Sequence, residues 1–151
     1  MTYKPKAHSE PVIYMGEYED RVFGVKFRWD DRKNKINYRK HGIYFEDALN
    51  VFYDDYRAEY KDYKHSADED RRIALGKVDD VLFVVYTERY DSRDEYDIRY
   101  IRMISARVAE PEEEEEYDEH RAFLLGQRSQ ADGRAEEAHT RGEAEAESVR
   151  S

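Results

Sequence analysis

Eight polar side chains of this 151-residue chain stand where helices and strands are expected to begin or end, and their types suit one kind of chemistry. Lys33, Lys40 and His41 lie on or just after a charged helical stretch. Arg71 opens an apolar run, Glu88 and Arg89 close the next, and Arg102 and Arg107 flank Ser105 in a third. Cutting RNA without a metal takes three things: a base for the 2′-hydroxyl proton, cations for the charged pentavalent phosphate, and an acid for the leaving oxygen. Arg, Lys, Glu, His and Tyr cover all three roles. No Gly-rich phosphate loop, nucleophile elbow or His-x-x-x-His pair offers a competing chemistry. His41 and His65 are far apart, with no carboxylate at metal-ligand spacing, so neither a metal nor a cofactor is expected. Cysteine is absent, which removes thiolate ligands and thiol nucleophiles together.

Each of these residues also has an ordinary structural reading. A charged helix is commonly a solvated face with local ion pairs, and arginine at a strand end commonly snorkels over the core. Arg102, between Ile101 and Met103, needs a partner, either Glu88 or a phosphate. Strand alternation adds a constraint. Arg102 faces with Ile98, Tyr100 and Ile104, whereas Arg107 faces with Ile101 and Met103, so without a bulge or a bend the two cannot serve one site.

The elements that must position these side chains can be read along the chain. Residues 1–20 show no periodicity and contain Pro5 and Pro11, and are expected to be a loose arm. Val25 to Trp29 alternates apolar and basic residues as a half-buried strand. Asp30 then caps a helix over Asp31 to Lys40 that stops at Gly42. Phe45, Ala48, Leu49 and Phe52 mark one face of a second short helix, and residues 57–61 a short edge strand. Arg72–Lys77, Val81–Tyr86 and Ile98–Ala106 follow as an antiparallel meander. Pro111 to Leu125 reads as a last helix ending at Gly126. The expected fold is α+β: an antiparallel sheet of about four strands with two N-terminal helices and one C-terminal helix packed on it. The folded unit spans 21–125, and 126–151, with Val149 as its one sizeable apolar side chain, is expected to be a disordered acidic tail.

Charge is distributed unevenly. The net charge is −10, yet residues 21–109 carry 19 Lys and Arg against 18 Asp and Glu, while 110–125 carry one Arg against eight acids. The acidity therefore lies in the flanks, and the middle is free to hold a local basic patch for an anionic polymer. Charged residues make up 41% and mean hydropathy is −1.11, and no run approaches the roughly 18 apolar residues of a membrane helix, so a cytoplasmic protein away from membranes is expected.

Several blocks, in order, resemble a known family. Phe27-Arg28-Trp29-Asp30, Lys33, Asn37, Lys40-His41-Gly42-Ile43 and Phe45-Glu46-Asp47-Ala48 are followed by Asp62 and His65-Ser66. Then come Arg71-Arg72-Ile73-Ala74-Leu75-Gly76, Val84-Val85-Tyr86-Thr87-Glu88-Arg89 and Ile101-Arg102-Met103-Ile104-Ser105-Ala106-Arg107. Together they resemble the BrnT toxins of type II BrnT/BrnA toxin–antitoxin systems. The resemblance implies a RelE-like fold, metal-independent RNA cleavage that inhibits translation, neutralisation by a BrnA-type antitoxin, and operator DNA bound only through the antitoxin complex. It implies Arg71, Arg89 and Arg102 at the phosphate, Glu88 or His41 as base or acid, and Lys33, Lys40 and Arg107 along the substrate. The alternative is a catalytically weak relative acting mainly with its antitoxin in promoter autoregulation. Three features depart from the pattern: the long stretch Tyr90–Asp97, the acidic run Glu112–Glu116 in place of a basic helix, and the tail.

Overall fold

The computed structural model describes residues 15–92 and 97–150, with side chains as far as residue 133. Among the described residues there are six strands: β1 (Met15–Asp20), β2 (Val25–Asp30), β3 (Ala58–Lys61), β4 (Arg72–Val78), β5 (Asp80–Asp91) and β6 (Ile98–Val108). The helices are α1 (Asp31–His41), α2 (Phe45–Ala48), which continues as a 3₁₀ segment over Leu49–Tyr53, and α3 (Pro111–Arg150). The sheet order is β1-β2-β6-β5-β4-β3. Every neighbouring pair is antiparallel except β2 and β6, which run parallel. The expected α+β class holds, but the sheet is larger than expected and mixed rather than antiparallel.

Local chemistry accounts for most of these elements. Asp30 accepts the amides of Arg32 and Lys33 and so satisfies two of the orphan donors at the start of α1. Gly42 ends α1 at φ 72°, a left-handed conformation that glycine adopts without a Cβ clash. The second helix tightens to 3₁₀ geometry after one turn, yet Phe45, Ala48, Leu49 and Phe52 are all buried, as their spacing requires. β1 carries no apolar alternation. It pairs through its backbone with β2, and its Gly16 lies under the Trp29 indole, where a Cβ would come within 1.9 Å of Nε1. The last six residues of the expected N-terminal arm are therefore an edge strand; residues 1–14 of it lie outside the described residues.

The helices do not share one face of the sheet. α1, α2 and the 3₁₀ segment cover one side, closing a core of Phe27, Trp29, Phe45, Val51, Val84, Tyr86, Ile101 and Met103. On the other side the early part of α3 brings Tyr117 against Leu75 and Val81, and its hydroxyl donates to Asp54 at 2.5 Å. The expected stop at Gly126 does not occur, since an exposed glycine in a helix costs only about 1 kcal/mol. From Leu125 to Gly133 the helix is exposed.

Asn37 ties α1 to β6. Its side-chain amide donates to the carbonyls of Ile43 and Ala106 at 2.9 and 2.8 Å and accepts the Ala106 amide at 3.1 Å. Because Asn37 is buried, removing it strands three backbone groups away from water. Asn37→Ala is expected to lower unfolding stability by about 2–4 kcal/mol, read as a lowered urea midpoint with an unchanged slope.

Candidate functional site

A single extra residue decides which side chains meet. Between Val85↔Ser105 and Tyr86↔Met103 the register shifts, and Ile104 has no partner on β5. This is a β-bulge, in which two residues of one strand oppose one of the other. It reverses the alternation along β6. Ile101 and Met103 lie in the core with Ala106, while Tyr100 and Arg102 share the opposite face with Ser105 and Arg107. The conflict between Arg102 and Arg107 expected from unbroken alternation is thereby removed.

On this face, which only α3 partly covers, residues of neighbouring strands line up. Arg28 of β2 stands beside Arg102 of β6, which stands beside Thr87 of β5. Arg71 immediately precedes Arg72, the partner of Tyr86, and so falls at the same level. Two adjoining hollows result. One, of about 320 Å³, includes Arg28, Thr87, Arg89, Tyr100 and Arg102 in its walls. The other, of about 710 Å³, includes His65, Arg71, Val85, Ser105 and Arg107. The structure thus brings together Arg71, Arg89, Arg102 and Arg107.

Each of the four has an acidic neighbour from the same chain. Glu69 bridges two of them, accepting Arg71 Nε at 3.2 Å on one oxygen and Arg102 on the other. Desolvation pushes the Glu69 carboxyl up, but Arg71 and Arg102 outweigh it and leave the group below the usual carboxylate range. Arg107 forms a two-pronged pair with Glu113 at 2.7 and 2.9 Å. Burial again acts upward and the Arg107 bonds prevail, so Glu113 also stays ionised below the ordinary range. Arg89 lies 3.8 Å from Asp91 and 4.1 Å over the Tyr100 ring, which Arg28 approaches at 5.6 Å from the other direction.

The acidic start of α3 is mostly turned from this face. Glu112, Glu114, Glu115 and Glu116 are exposed, although the Glu116 charge acts on Tyr60 of β3; Glu113 bonds Arg107 of the sheet while also accepting the Glu110 amide at the helix start. The remaining expected site residues lie elsewhere. Lys33, Lys40 and His41 are exposed on α1, on the helix-covered side. Glu88 is on β5 with the parity of Tyr86 and therefore faces the helices. There it pairs with Arg72 at 3.2 Å and accepts Arg99 Nε at 2.7 Å. Glu59 joins the group through Arg99 and through the Tyr86 hydroxyl at 2.7 Å. Burial and the Glu59 hydrogen bond both raise the Tyr86 phenol above its usual range. Among the described residues, no three His, Asp or Glu side chains are grouped so as to hold a metal ion.

Two further pairs stand out that the types and spacing of the eight residues did not single out. Arg28 belongs to the alternating run Val25–Trp29, so its face was readable, but its neighbour Arg102 depends on a parallel pairing between distant strands. The other pair is Asp62 and His65, in the loop between β3 and β4. Asp62 is buried, and its carboxylate accepts the Lys64 amide at 3.2 Å and contacts His65 Nδ1 at 3.0 Å. Ser66 fixes the loop by bonding the Asp62 carbonyl and accepting the Arg71 amide at 3.2 Å.

A family model described as ribonuclease toxin, BrnT, of type II toxin–antitoxin system matches residues 29–113, more than half of the chain. The match runs from the end of β2 to the first turn of α3. No curated protein matches the chain.

Proposed function

The chain belongs to the BrnT family, the ribonuclease toxins of type II toxin–antitoxin systems, and from that premise we propose a metal-independent endoribonuclease that arrests translation and is silenced by a BrnA-type antitoxin. One observation carries this reading: Arg71, Arg89, Arg102 and Arg107 converge on the one sheet face that α1 and α2 leave uncovered. A carboxylate bridging two guanidinium groups occupies the place a phosphate can take, with the same sign of charge and the same fork of acceptors. RNA phosphate displaces Glu69 from Arg71 and Arg102, which then stabilise the extra charge of the pentavalent state. Arg107 and Arg89 hold the flanking phosphates, and Tyr100 offers an aromatic surface to a base. Lys33, Lys40, His41 and Glu88 carry no step in this assignment: the first three are on α1, and Glu88, which borders the smaller hollow, has its carboxylate engaged by Arg72 and Arg99 on the helix-covered side. Operator DNA is bound only through the antitoxin complex, and the protein acts in the cytoplasm.

A second reading has its own support. Arg71, Arg89, Arg102 and Arg107 already have carboxylate neighbours, and one of these comes from the acidic start of α3. That favours a weak enzyme that works mainly with its antitoxin in promoter autoregulation. Expression without the antitoxin separates the two. Growth arrest with RNA decay, together with cleavage by the purified protein in EDTA, is the result expected of the enzyme. Normal growth and intact RNA establish the binding module instead.

A further inference from the structure

We propose that His65, oriented by Asp62, is the general base that takes the 2′-hydroxyl proton of RNA bound on the open face of the sheet. The inference rests on the ribonuclease reading above and names a group that the arginines cannot supply, since guanidinium stays protonated at neutral pH. Asp62 is 8% exposed and has both carboxylate oxygens engaged, one by the Lys64 amide and one by His65 Nδ1. A buried carboxylate against Nδ1 holds the proton on that nitrogen, fixes the ring, and leaves Nε2 as the free lone pair. The His65 side chain is itself 66% exposed, so the ring is anchored at one nitrogen and accessible at the other.

The location fits the task. His65 lines the same hollow as Arg71, Ser105 and Arg107. The loop that carries it is closed by a backbone bond from the Asp62 amide to the Arg71 carbonyl and by Ser66, so the base and a phosphate-binding arginine belong to one pinned loop. The charges that share the hollow are Asp62, Lys61 and Lys64 from the histidine's own segment, Arg71 from the start of β4 and Arg107 from β6. Of the four basic groups, Arg71 holds the scissile phosphate beside the imidazole, while Lys61, Lys64 and Arg107 favour the flanking anionic chain.

The reaction balances without a co-reactant. Nε2 takes the proton from the 2′-hydroxyl, O2′ forms a bond to phosphorus, and the bond from phosphorus to the 5′-oxygen breaks. The 5′-oxygen takes a proton from water, and the imidazolium later returns its proton to solvent. The products are a 2′,3′-cyclic phosphate and a 5′-hydroxyl. In this scheme His65 is the catalytic residue and Asp62 a positioning residue.

The test uses the purified full chain, an RNA oligonucleotide that it cuts, and the same oligonucleotide with 2′-O-methyl groups as an uncuttable binding probe. His65→Ala is expected to cut about 100-fold more slowly while binding the probe within twofold of the parent, and added imidazole is expected to restore part of the rate. Asp62→Asn is expected to lower the rate by no more than His65→Ala does, about 100-fold at most, and to shift the acidic limb of the pH–rate profile without changing probe binding. A His65→Ala rate within threefold of the parent overturns the assignment, as does a loss of rate that follows a loss of probe binding and ignores imidazole. A parent that cuts no RNA overturns the ribonuclease reading itself, and this inference falls with it; a parent that cuts while His65→Ala cuts equally well removes only the inference.

Discussion

Replacing both Arg71 and Arg102 with alanine is expected to slow RNA cleavage by about 10³-fold or more, and to abolish growth arrest, while leaving the fold intact. Removing a single preorganised donor from a developing oxyanion commonly costs about 10²–10³ in rate. The two arginines converge on one carboxylate, so they act on one phosphate rather than two. Each single variant is therefore expected to account for most of the loss, and the double to lose less than the product of the singles. Stability should scarcely change, because these side chains are partly exposed, at 36% and 50%, and exposed ion pairs contribute about 0–1 kcal/mol. Glu69→Gln is the companion measurement. With the bridging carboxylate neutralised, RNA phosphate meets no competitor, so binding to the 2′-O-methyl probe should tighten and its salt dependence should persist. Parent rates in the double alanine variant would falsify the placement of the phosphate between these residues.

The same pair of arginines marks how far the chain can be read before it folds. β2, α1 with Asp30 and Gly42 at its ends, the burial of Phe45 to Phe52, and the start of α3 at Pro111 all follow from short-range rules, and all are present. Distant contacts were less legible. β1 has glutamates and a glycine where a core strand has valines, and only its pairing with β2 makes it a strand. The parallel contact of β2 with β6, which sets Arg28 beside Arg102, joins segments some seventy residues apart and leaves no local trace. The bulge at Ile104 is similar: nothing in Met103-Ile104-Ser105 announces it, yet it sets which of Arg102 and Arg107 can work together. Glu88 illustrates the opposite problem. Its type and its expected position at a strand end suit a catalyst, but β5 runs on to Asp91, and strand parity, counted from Tyr86, shows that it points to the helices.

That burial of Glu88 leads to the largest expected effect on stability. Arg99 sits between Glu59 and Glu88, its side chain and theirs each about a fifth exposed or less, and its guanidinium also lies 5.6 Å from the Phe52 ring. Desolvation acts to lower its pKa, but the two carboxylates outweigh it and raise the pKa further above the usual arginine value. Arg99→Ala leaves Glu59 with Arg57, and Glu88 with Arg72, as the remaining cations of the group. Breaking a buried pair by removing one partner costs about 3–5 kcal/mol, against a total domain stability of about 5–15 kcal/mol. The expected result is a fall in melting temperature of more than about 10 °C. The pH dependence carries the sign. Burial pushes the Glu59 carboxyl up, and the Arg99 hydrogen bond does most to hold it below its usual range. Without Arg99 that bond is lost, and with it the stability that a lowered carboxylate pKa contributes above the unfolded value, near 4.3 for glutamate. The deficit of Arg99→Ala relative to the parent should therefore be full near pH 7 and shrink as the pH falls below about 5. The triple variant Glu59→Gln, Glu88→Gln, Arg99→Met removes the three central charges while leaving Arg57 and Arg72 without their carboxylates, and is expected to recover part of the lost stability. If it then cuts RNA at the parent rate, the buried group serves the fold alone and the chemistry belongs to the open face. A triple variant that is stable yet inactive would instead return Glu88 to the reaction.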